Sequence, residues 1–152
     1  MKVIEAFNVE DTKRIGYELA KLMVDGGVIL LNGDLGTGKT VFTSGVAYAI
    51  GINEYITSPT FTIVNEYYGK KKLYHFDLYR IKSLEELEDI GFWEYLEDSG
   101  FVVVEWAKNI HNLELKNRVS VNITKDLEKG VGYRNIKIEF SGRYKDLEEK
   151  LN

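Results

Sequence analysis

Residues 31–40 read LNGDLGTGKT and contain the side chains with the clearest chemical role. Gly33, Gly38, Lys39 and Thr40 fit the pattern G-x-x-x-x-G-K-[ST], which is typical of a loop that binds nucleotide phosphates. Glycine lets main-chain N–H groups approach and surround an anion. Lysine adds a positive charge at the β- and γ-phosphates, and threonine adds a hydroxyl that can ligate Mg²⁺. The pattern therefore predicts a phosphate-binding loop.

The segments on either side of this loop agree with that prediction. Val28–Leu31 is a short apolar run rich in β-branched residues and predicts a buried strand, and residues 41–50 predict a helix. The alternative is a glycine-rich turn that happens to end in Lys-Thr, and the agreement of pattern and context disfavours it. The predicted nucleotide-binding residues of this segment are Gly33, Asp34, Leu35, Gly36, Thr37, Gly38, Lys39, Thr40 and Val41.

Two acidic residues are candidates for the chemistry that follows phosphate binding. Glu105 comes directly after the apolar run Phe101–Val104, so it stands at the end of a strand, where open α/β sheets place ligand-binding groups. The alternative is a solvated glutamate at a strand end. Asp77 lies within a predicted strand, where an aspartate is disfavoured and needs a partner. That partner could be a water on Mg²⁺ or, for a purely structural role, Arg80.

A third candidate segment is Ser58–Phe61, between the phosphate-loop helix and the next strand. Many phosphate-loop switch proteins hold a threonine there that senses the γ-phosphate, and Thr60 fits that role. The alternative is an ordinary turn at a strand entry. His75 could orient a water or meet a partner, or it could simply be packed, and Trp106 could be a core aromatic or an interface anchor. We expect the Ser58–Phe61 loop, with His75 and Trp106 near it, to be the docking face.

The remaining pattern predicts an α/β fold. A length of 152 residues suggests one domain, and strands alternate with helices along the chain. The segments that the pattern assigns are an edge strand at 2–7, a helix with an apolar face from Ile15 to Met23, a hairpin at 61–79, a helix capped by Ser83, a buried strand at 101–104, an antiparallel pair at 119–123 and 136–140, and a short terminal helix at 146–151.

Composition restricts the possible classes of function. The net charge of -4 disfavours nucleic-acid binding by overall charge alone, and the absence of cysteine fits a reducing cytoplasm. No stretch approaches the roughly 20 apolar residues of a membrane span. The N-terminal residues lack the long apolar region of a signal peptide, so a cytoplasmic location is expected. No N-K-x-D motif, which would indicate guanine recognition, occurs, and this favours ATP over GTP.

The motifs occur together in one order. Asp34–Thr40, Ser58–Phe61, the run HFDLYR at residues 75–80 and Glu105-Trp106 closely resemble the TsaE (YjeE) family of bacterial P-loop ATPases. The resemblance covers nearly the whole chain, and HFDLYR followed by Glu-Trp is its most specific part. It implies a single P-loop NTPase domain over residues 1–152, with a mixed central β-sheet flanked by helices.

The resemblance also implies a function and its cofactors, ATP and Mg²⁺. Members of this family act in making N6-threonylcarbamoyladenosine (t6A) in tRNA. They join a TsaB–TsaD complex, and their ATP hydrolysis is thought to reset it between turnovers. We therefore expect weak hydrolysis alone, stimulation by these partners, and contact with tRNA only through the complex.

The family's functional residues match positions of this chain. Its catalytic residues correspond to Lys39, Asp77, Glu105 and Thr60, and its Mg²⁺ ligands to Thr40 and Glu105. Asp11 and Thr12, in the segment 8–12, are expected near the adenine, and a late arginine corresponds to Arg134.

Two other classes of function remain open at this point. A small-molecule kinase would use the same phosphate loop, but such enzymes usually carry a lid with several arginines. Here the arginines at 80, 118, 134 and 143 are scattered singly. A nucleotide-binding interaction module without useful turnover is the second alternative.

Overall fold

The structure is a computed structural model and describes residues 1–59, 61–98 and 100–152. Its centre is a seven-stranded sheet with the strand order β1-β7-β6-β2-β5-β4-β3. The strands are β1 Lys2–Ala6, β2 Gly27–Asn32, β3 Val64–Tyr68, β4 Lys72–Asp77, β5 Gly100–Glu105, β6 Arg118–Lys125 and β7 Arg134–Ser141. The α-helices are α1 Val9–Leu22, α2 Lys39–Ala49, α3 Leu84–Asp89 and α4 Phe92–Glu97.

The sheet is mixed, as predicted. Its middle is parallel, because β2 pairs with β5 and β6, and β5 also pairs with β4. Antiparallel pairs complete both sides, with β3 on β4 and with β7 between β6 and β1. All six residues of β5 are buried, which fits its continuous apolar sequence and its central position.

Helices cover both faces of the sheet. On one face, Ile15 and Leu19 of α1 and Phe42 and Val46 of α2 share a core with the strand residue Leu31. On the other face, Leu87 of α3 and Phe92 of α4 pack with Phe76, Val102 and Val104. No helix in the described part of the chain is long and apolar enough to cross a membrane.

Local signals determine where the two helices nearest the phosphate loop begin. The side chain of Asn8 caps α1 by accepting a hydrogen bond from the Asp11 N–H. Helix α2 begins directly after Gly38, which has a φ of 108° that a side chain would disfavour. The first turn of α2 therefore presents its free N–H groups to whatever the loop encloses.

Some predicted boundaries are wrong. The hairpin ends at Asp77, not at residue 79, so Asp77 is the last residue of its strand. The hairpin strand begins at Val64, because Ile63 has a φ of 70° and its N–H donates to the Pro59 carbonyl in a turn. The C-terminal segment is a 3-10 helix over Gly142–Lys150 in place of a helix at 146–151. Tyr144 in this segment is buried and donates a hydrogen bond to the Gly26 carbonyl, which holds the segment against the start of β2.

Close packing of α1 against α2 sets the position of the phosphate loop, and Gly45 makes that packing possible. A Cβ at Gly45 would lie 2.0 Å from the Lys13 carbonyl oxygen. We expect Gly45→Ala to lower the free energy of unfolding by about 1–3 kcal/mol, since crowding outweighs the better helix propensity of alanine. Ser44→Ala, one position earlier, is the matched control and should change it by about 0.5 kcal/mol or less. Urea denaturation measures both, and equal stabilities would contradict the packing argument.

Candidate nucleotide-binding site

The strand register brings three separate parts of the sequence to one edge of the sheet. Leu31, the residue before the last of β2, is paired with Glu105 at the end of β5, and Glu105 is paired with Asp77 at the end of β4. Because these strands are parallel, their carboxyl ends meet where the phosphate loop leaves β2. The two acids predicted from sequence therefore lie side by side next to the loop.

These elements enclose a cleft of about 800 Å³. The residues that line it come from the start of α1, the phosphate loop, the segment before β3, the ends of β4 and β5, and the start of β7. They are Val9, Thr12, Leu35, Gly36, Thr37, Gly38, Lys39, Thr40, Val41, Ser58, Phe61, Asp77, Tyr79, Arg80, Glu105, Trp106, Gly132 and Arg134. This volume lies in the range of small-molecule and cofactor sites.

Arg134, at the start of β7, bonds main-chain carbonyls of the phosphate loop. Its Nε donates to the Thr37 carbonyl at 2.6 Å and its Nη2 to the Gly36 carbonyl at 3.5 Å, while its Nη1 donates to the Val131 and Tyr133 carbonyls at 2.9 and 2.7 Å. Within the loop, the Thr37 hydroxyl donates to the Asp34 carbonyl at 3.0 Å. Arg134 thus engages the carbonyls of Gly36 and Thr37, and a loop whose carbonyls are engaged on one side can present its N–H groups on the other.

Lys39 is buried and its ammonium has three neighbours. Nζ donates to the Gly33 carbonyl at 2.6 Å, lies 3.6 Å from Glu105 Oε1, and is 4.7 Å from the centre of the Trp106 ring. A buried ammonium needs such partners, because water no longer solvates its charge. Trp106 therefore contacts a residue of the phosphate loop, so a change at Trp106 would disturb this loop as well as any docking face.

Glu105 is buried and bonded on its other oxygen. Its Oε2 lies 2.6 Å from Nε2 of His75, and both side chains are less than 5% exposed. His75 itself is 0% exposed. Of the alternatives for His75, direct contact with a partner is therefore wrong, because a partner cannot reach a side chain that is 0% exposed. The packed alternative is correct, and His75 packs against the catalytic candidate Glu105.

Asp77 is half-buried at the end of β4, and its Oδ1 accepts a hydrogen bond from the Tyr79 N–H at 2.9 Å. Burial raises the pKa of the Asp77 carboxyl, and the negative charge of Glu105 raises it further. The Tyr79 N–H and the Lys39 charge oppose this rise. The result is a carboxylate that is more basic than usual and faces the cleft, which suits a group that orients or deprotonates water.

The other predicted site residues divide into two sets. Thr12 and Arg134 line the cleft with the loop residues from Leu35 to Val41. Asp11, Gly33 and Asp34 are not part of its lining. Asp11 accepts from the Phe7 N–H at the start of α1, and the other two contribute their carbonyls to the loop's internal bonds. Thr60 lies outside the described residues.

Sequence reasoning missed part of the cleft wall. Gly132 and Tyr79 line the cleft, but sequence patterns assign no functional role to either, although Tyr79 belongs to the run HFDLYR. Arg80 and Arg134 both line the cleft, whereas Arg118 and Arg143 bond to Leu115 and Tyr144 elsewhere. Distances along the chain do not show which arginines converge, and the pairing of β4 with β5 and of β6 with β7 decides it.

The residues at this edge fit a magnesium ion that is held jointly with a nucleotide. The Thr40 hydroxyl and the Glu105 carboxylate are hard oxygen donors, and both line the cleft. Mg²⁺ usually takes one or two carboxylates together with substrate phosphates and water. Within residues 1–59, 61–98 and 100–152, no group of three His, Cys, Asp or Glu side chains could form a separate metal site.

Strand, glycine loop and helix, with acids at the ends of the neighbouring parallel strands, define a P-loop domain of the α/β class. Comparisons with known proteins give the particular family. The family profile described as "Threonylcarbamoyl adenosine biosynthesis protein TsaE" matches residues 6–136. The chain belongs to the TsaE family.

Individual relatives agree with this assignment. The tRNA threonylcarbamoyladenosine biosynthesis protein TsaE of Bacillus subtilis is 39% identical over 148 residues, which is 95% of this chain and 90% of the relative. The protein of the same name from Treponema pallidum is 44% identical over 103 residues, 68% of this chain and 76% of the relative. The crystal structure of Bacillus subtilis YdiB has a TM-score of 0.77 and 36% identity, and covers 99% of this chain and 93% of that one.

The bonds from Arg134 to the loop generate a prediction on nucleotide affinity. We expect Arg134→Ala to weaken ATP binding about tenfold, because hydrogen bonds from charged groups contribute about 1.5–3 kcal/mol and this one is only partly buried. Arg118→Ala is the matched control, since Arg118 also bonds a main-chain carbonyl but does not line the cleft. Titration calorimetry measures both affinities. An unchanged affinity in the Arg134 variant would show that the loop is ordered without it.

The raised pKa of Asp77 generates a prediction on stability. The pKa of the Asp77 carboxyl is higher in the folded than in the unfolded state, so this group destabilises the fold at pH values above the folded-state pKa. The effect disappears as the pH falls toward the ordinary pKa of an aspartate, about 3.9. Asp77→Asn keeps an oxygen for the Tyr79 N–H. It should therefore raise the free energy of unfolding at pH 7, with a gain that shrinks toward pH 4, while lowering ATP turnover. Urea denaturation across this pH range is the measurement, and a loss of stability at pH 7 would contradict the argument.

Proposed function

We propose that this protein is a Mg²⁺-dependent ATPase that acts in the synthesis of t6A in tRNA together with a TsaB–TsaD complex. The observation that carries the proposal is that Lys39, Thr40, Asp77 and Glu105 line one cleft beside the phosphate loop. Membership of the TsaE family, whose described role is threonylcarbamoyladenosine biosynthesis, supports the biological setting.

Binding of ATP follows from the charges of the loop. The N–H groups of the loop and of the first turn of α2 receive the phosphates, and the start of α1 with Val9 and Thr12 borders the cleft where the base would lie. Lys39 now bonds the Gly33 carbonyl, and phosphate oxygens compete for the same ammonium. Thr40 and Glu105 would hold Mg²⁺, and the ion would neutralise charge on the nucleotide phosphates.

Hydrolysis needs a group that positions water against the γ-phosphate. Asp77 is the candidate, because it faces the cleft next to Glu105 and burial makes its carboxylate more basic. Its Oδ1 bond to the Tyr79 N–H limits rotation of the side chain. A fixed and more basic carboxylate can accept a proton from the attacking water.

The exposure of the cleft rim supports a dependence on partners. Leu35 and Phe61 line the cleft and are 92% and 87% exposed, so its apolar rim is in contact with water. A partner that covers this rim would exclude water and strengthen every charge interaction inside. We therefore propose slow hydrolysis by the isolated chain, faster hydrolysis in the TsaB–TsaD complex, and contact with tRNA only through that complex.

The test follows phosphate release and t6A formation over several turnovers, with the purified chain, TsaB–TsaD and tRNA. We expect repeated modification only when this chain and ATP are present. Lys39→Ala should lower turnover by a factor of about 10²–10³, since it removes the main cation at the phosphates. Lys108→Ala is the matched control, because Lys108 also contacts the Trp106 ring but does not line the cleft.

Three results would contradict the proposed function or indicate another one. Equal cycling of the modification without this chain would contradict its assigned role. Phosphate transfer to a small acceptor, with no release of inorganic phosphate, would indicate a kinase. ATP binding with no turnover in any complex would indicate a nucleotide-dependent interaction module.

A further inference from the structure

His75 occupies a position where the fold calls for an apolar side chain. Leu73, His75 and Asp77 alternate along one face of β4, and Leu73 belongs to the core beneath α1 and α2. On β5, the residue paired with His75 is the buried Val103. His75 is 0% exposed, so its imidazole has been transferred from water into this apolar layer. Such a transfer is unfavourable unless hydrogen bonds replace the lost water.

The imidazole is only half compensated. Nε2 is 2.6 Å from Glu105 Oε2, whereas Nδ1 is buried without a hydrogen-bond partner among the described residues. A leucine at this position would avoid that loss. Nor is the histidine the only counterpart of Glu105, because the ammonium of Lys39 lies 3.6 Å from Oε1. Neutralising a buried glutamate therefore does not explain the histidine, and a geometric role does.

We propose that His75 is a positioning residue that holds the Glu105 carboxylate in the orientation needed at the phosphate loop. A glutamate side chain has several rotatable bonds, and the bond to Nε2 fixes one oxygen on the side of the sheet. The other oxygen then faces Lys39 and the cleft. Hydrogen bonds of this kind behind a metal-binding carboxylate commonly change metal affinity or activity ten- to a hundredfold. The inference rests on the proposed function, since it assigns Glu105 to Mg²⁺.

The first experiment detects the hydrogen bond itself in the nucleotide-free protein. The chain has two histidines, and His111 is exposed, so the ring signals can be assigned with a His111→Gln variant. We expect a slowly exchanging, downfield Nε2 proton of His75 in the NMR spectrum, because short bonds to a carboxylate are strong. Glu105→Gln should shift it upfield. A resonance that is the same in both proteins would overturn the proposal.

The second experiment separates positioning from folding. His75→Leu should weaken Mg²⁺ binding to the ATP complex ten- to a hundredfold and lower ATP turnover by a similar factor, with the affinity for ATP alone changed less than threefold. His75→Gln, whose amide nitrogen can donate to Glu105, should recover most of the loss. Leu73→Val is the control for packing, since Leu73 lies on the same face of β4 and does not line the cleft.

The outcomes distinguish the two proposals. If the wild-type protein hydrolyses no ATP with its partners, the proposed function fails, and the NMR and Mg²⁺ measurements still decide the role of His75. If the His75→Leu variant is folded, as circular dichroism would show, and binds Mg²⁺ as the wild type does, His75 is not a positioning residue. The same conclusion follows if the Leu and Gln variants lose Mg²⁺ affinity equally, or if Leu73→Val loses as much.

Discussion

The buried ammonium of Lys39 is the constraint on which the arrangement of the site depends. A cation removed from water must be compensated within a few ångströms, and here the compensation comes from the Gly33 carbonyl, Glu105 and the face of Trp106. These groups belong to the loop and to the end of β5, so the charge can be buried only if β2 and β5 are adjacent and in register. Buried ion pairs seldom add net stability to a fold. The cluster is better explained by the proposed binding of phosphates than by any gain in folding.

The parallel register of β2, β5 and β4 places the two acidic residues of the site beside the buried Lys39. Pairing of Leu31 with Glu105 and of Glu105 with Asp77 places the acids at increasing distance from the loop, with different surroundings. Glu105 is buried, with one oxygen bonded to His75 and the other in an ion pair with Lys39, whereas Asp77 is half-buried at the cleft and has a raised pKa. The environment therefore separates a carboxylate that is fixed by buried partners from one suited to moving a proton, although both terminate neighbouring strands.

Much of this could be predicted from the sequence, because it depends on short-range patterns. The spacing of Gly33, Gly38 and Lys39 defines the loop, and the apolar run 101–104 predicts a central strand with Glu105 at its end. The bond between His75 and Glu105 could not be predicted, since it joins residues 30 positions apart through a register that no local pattern encodes. The prediction that Ile63 lies in a strand is wrong for a related reason. Its β-branched side chain favours a strand, but the turn bond to Pro59 places it at a positive φ.

The shape of the cleft connects the buried charges to the proposed partners. Its floor is shielded from water around Lys39 and Glu105, whereas its rim carries the exposed apolar side chains of Leu35 and Phe61. Charge interactions are strong where water is excluded and weak where it enters. In the proposed complex with ATP, the floor would therefore bind the phosphates strongly, while the part of the nucleotide near the rim would stay in contact with water. An exposed apolar rim is unfavourable for a protein that acts alone and favourable for one that is covered by another. A partner that covered the rim would bring the γ-phosphate end of a bound ATP into the same water-excluded environment as the floor. This is the physical reason to expect that the rate of hydrolysis depends on a partner.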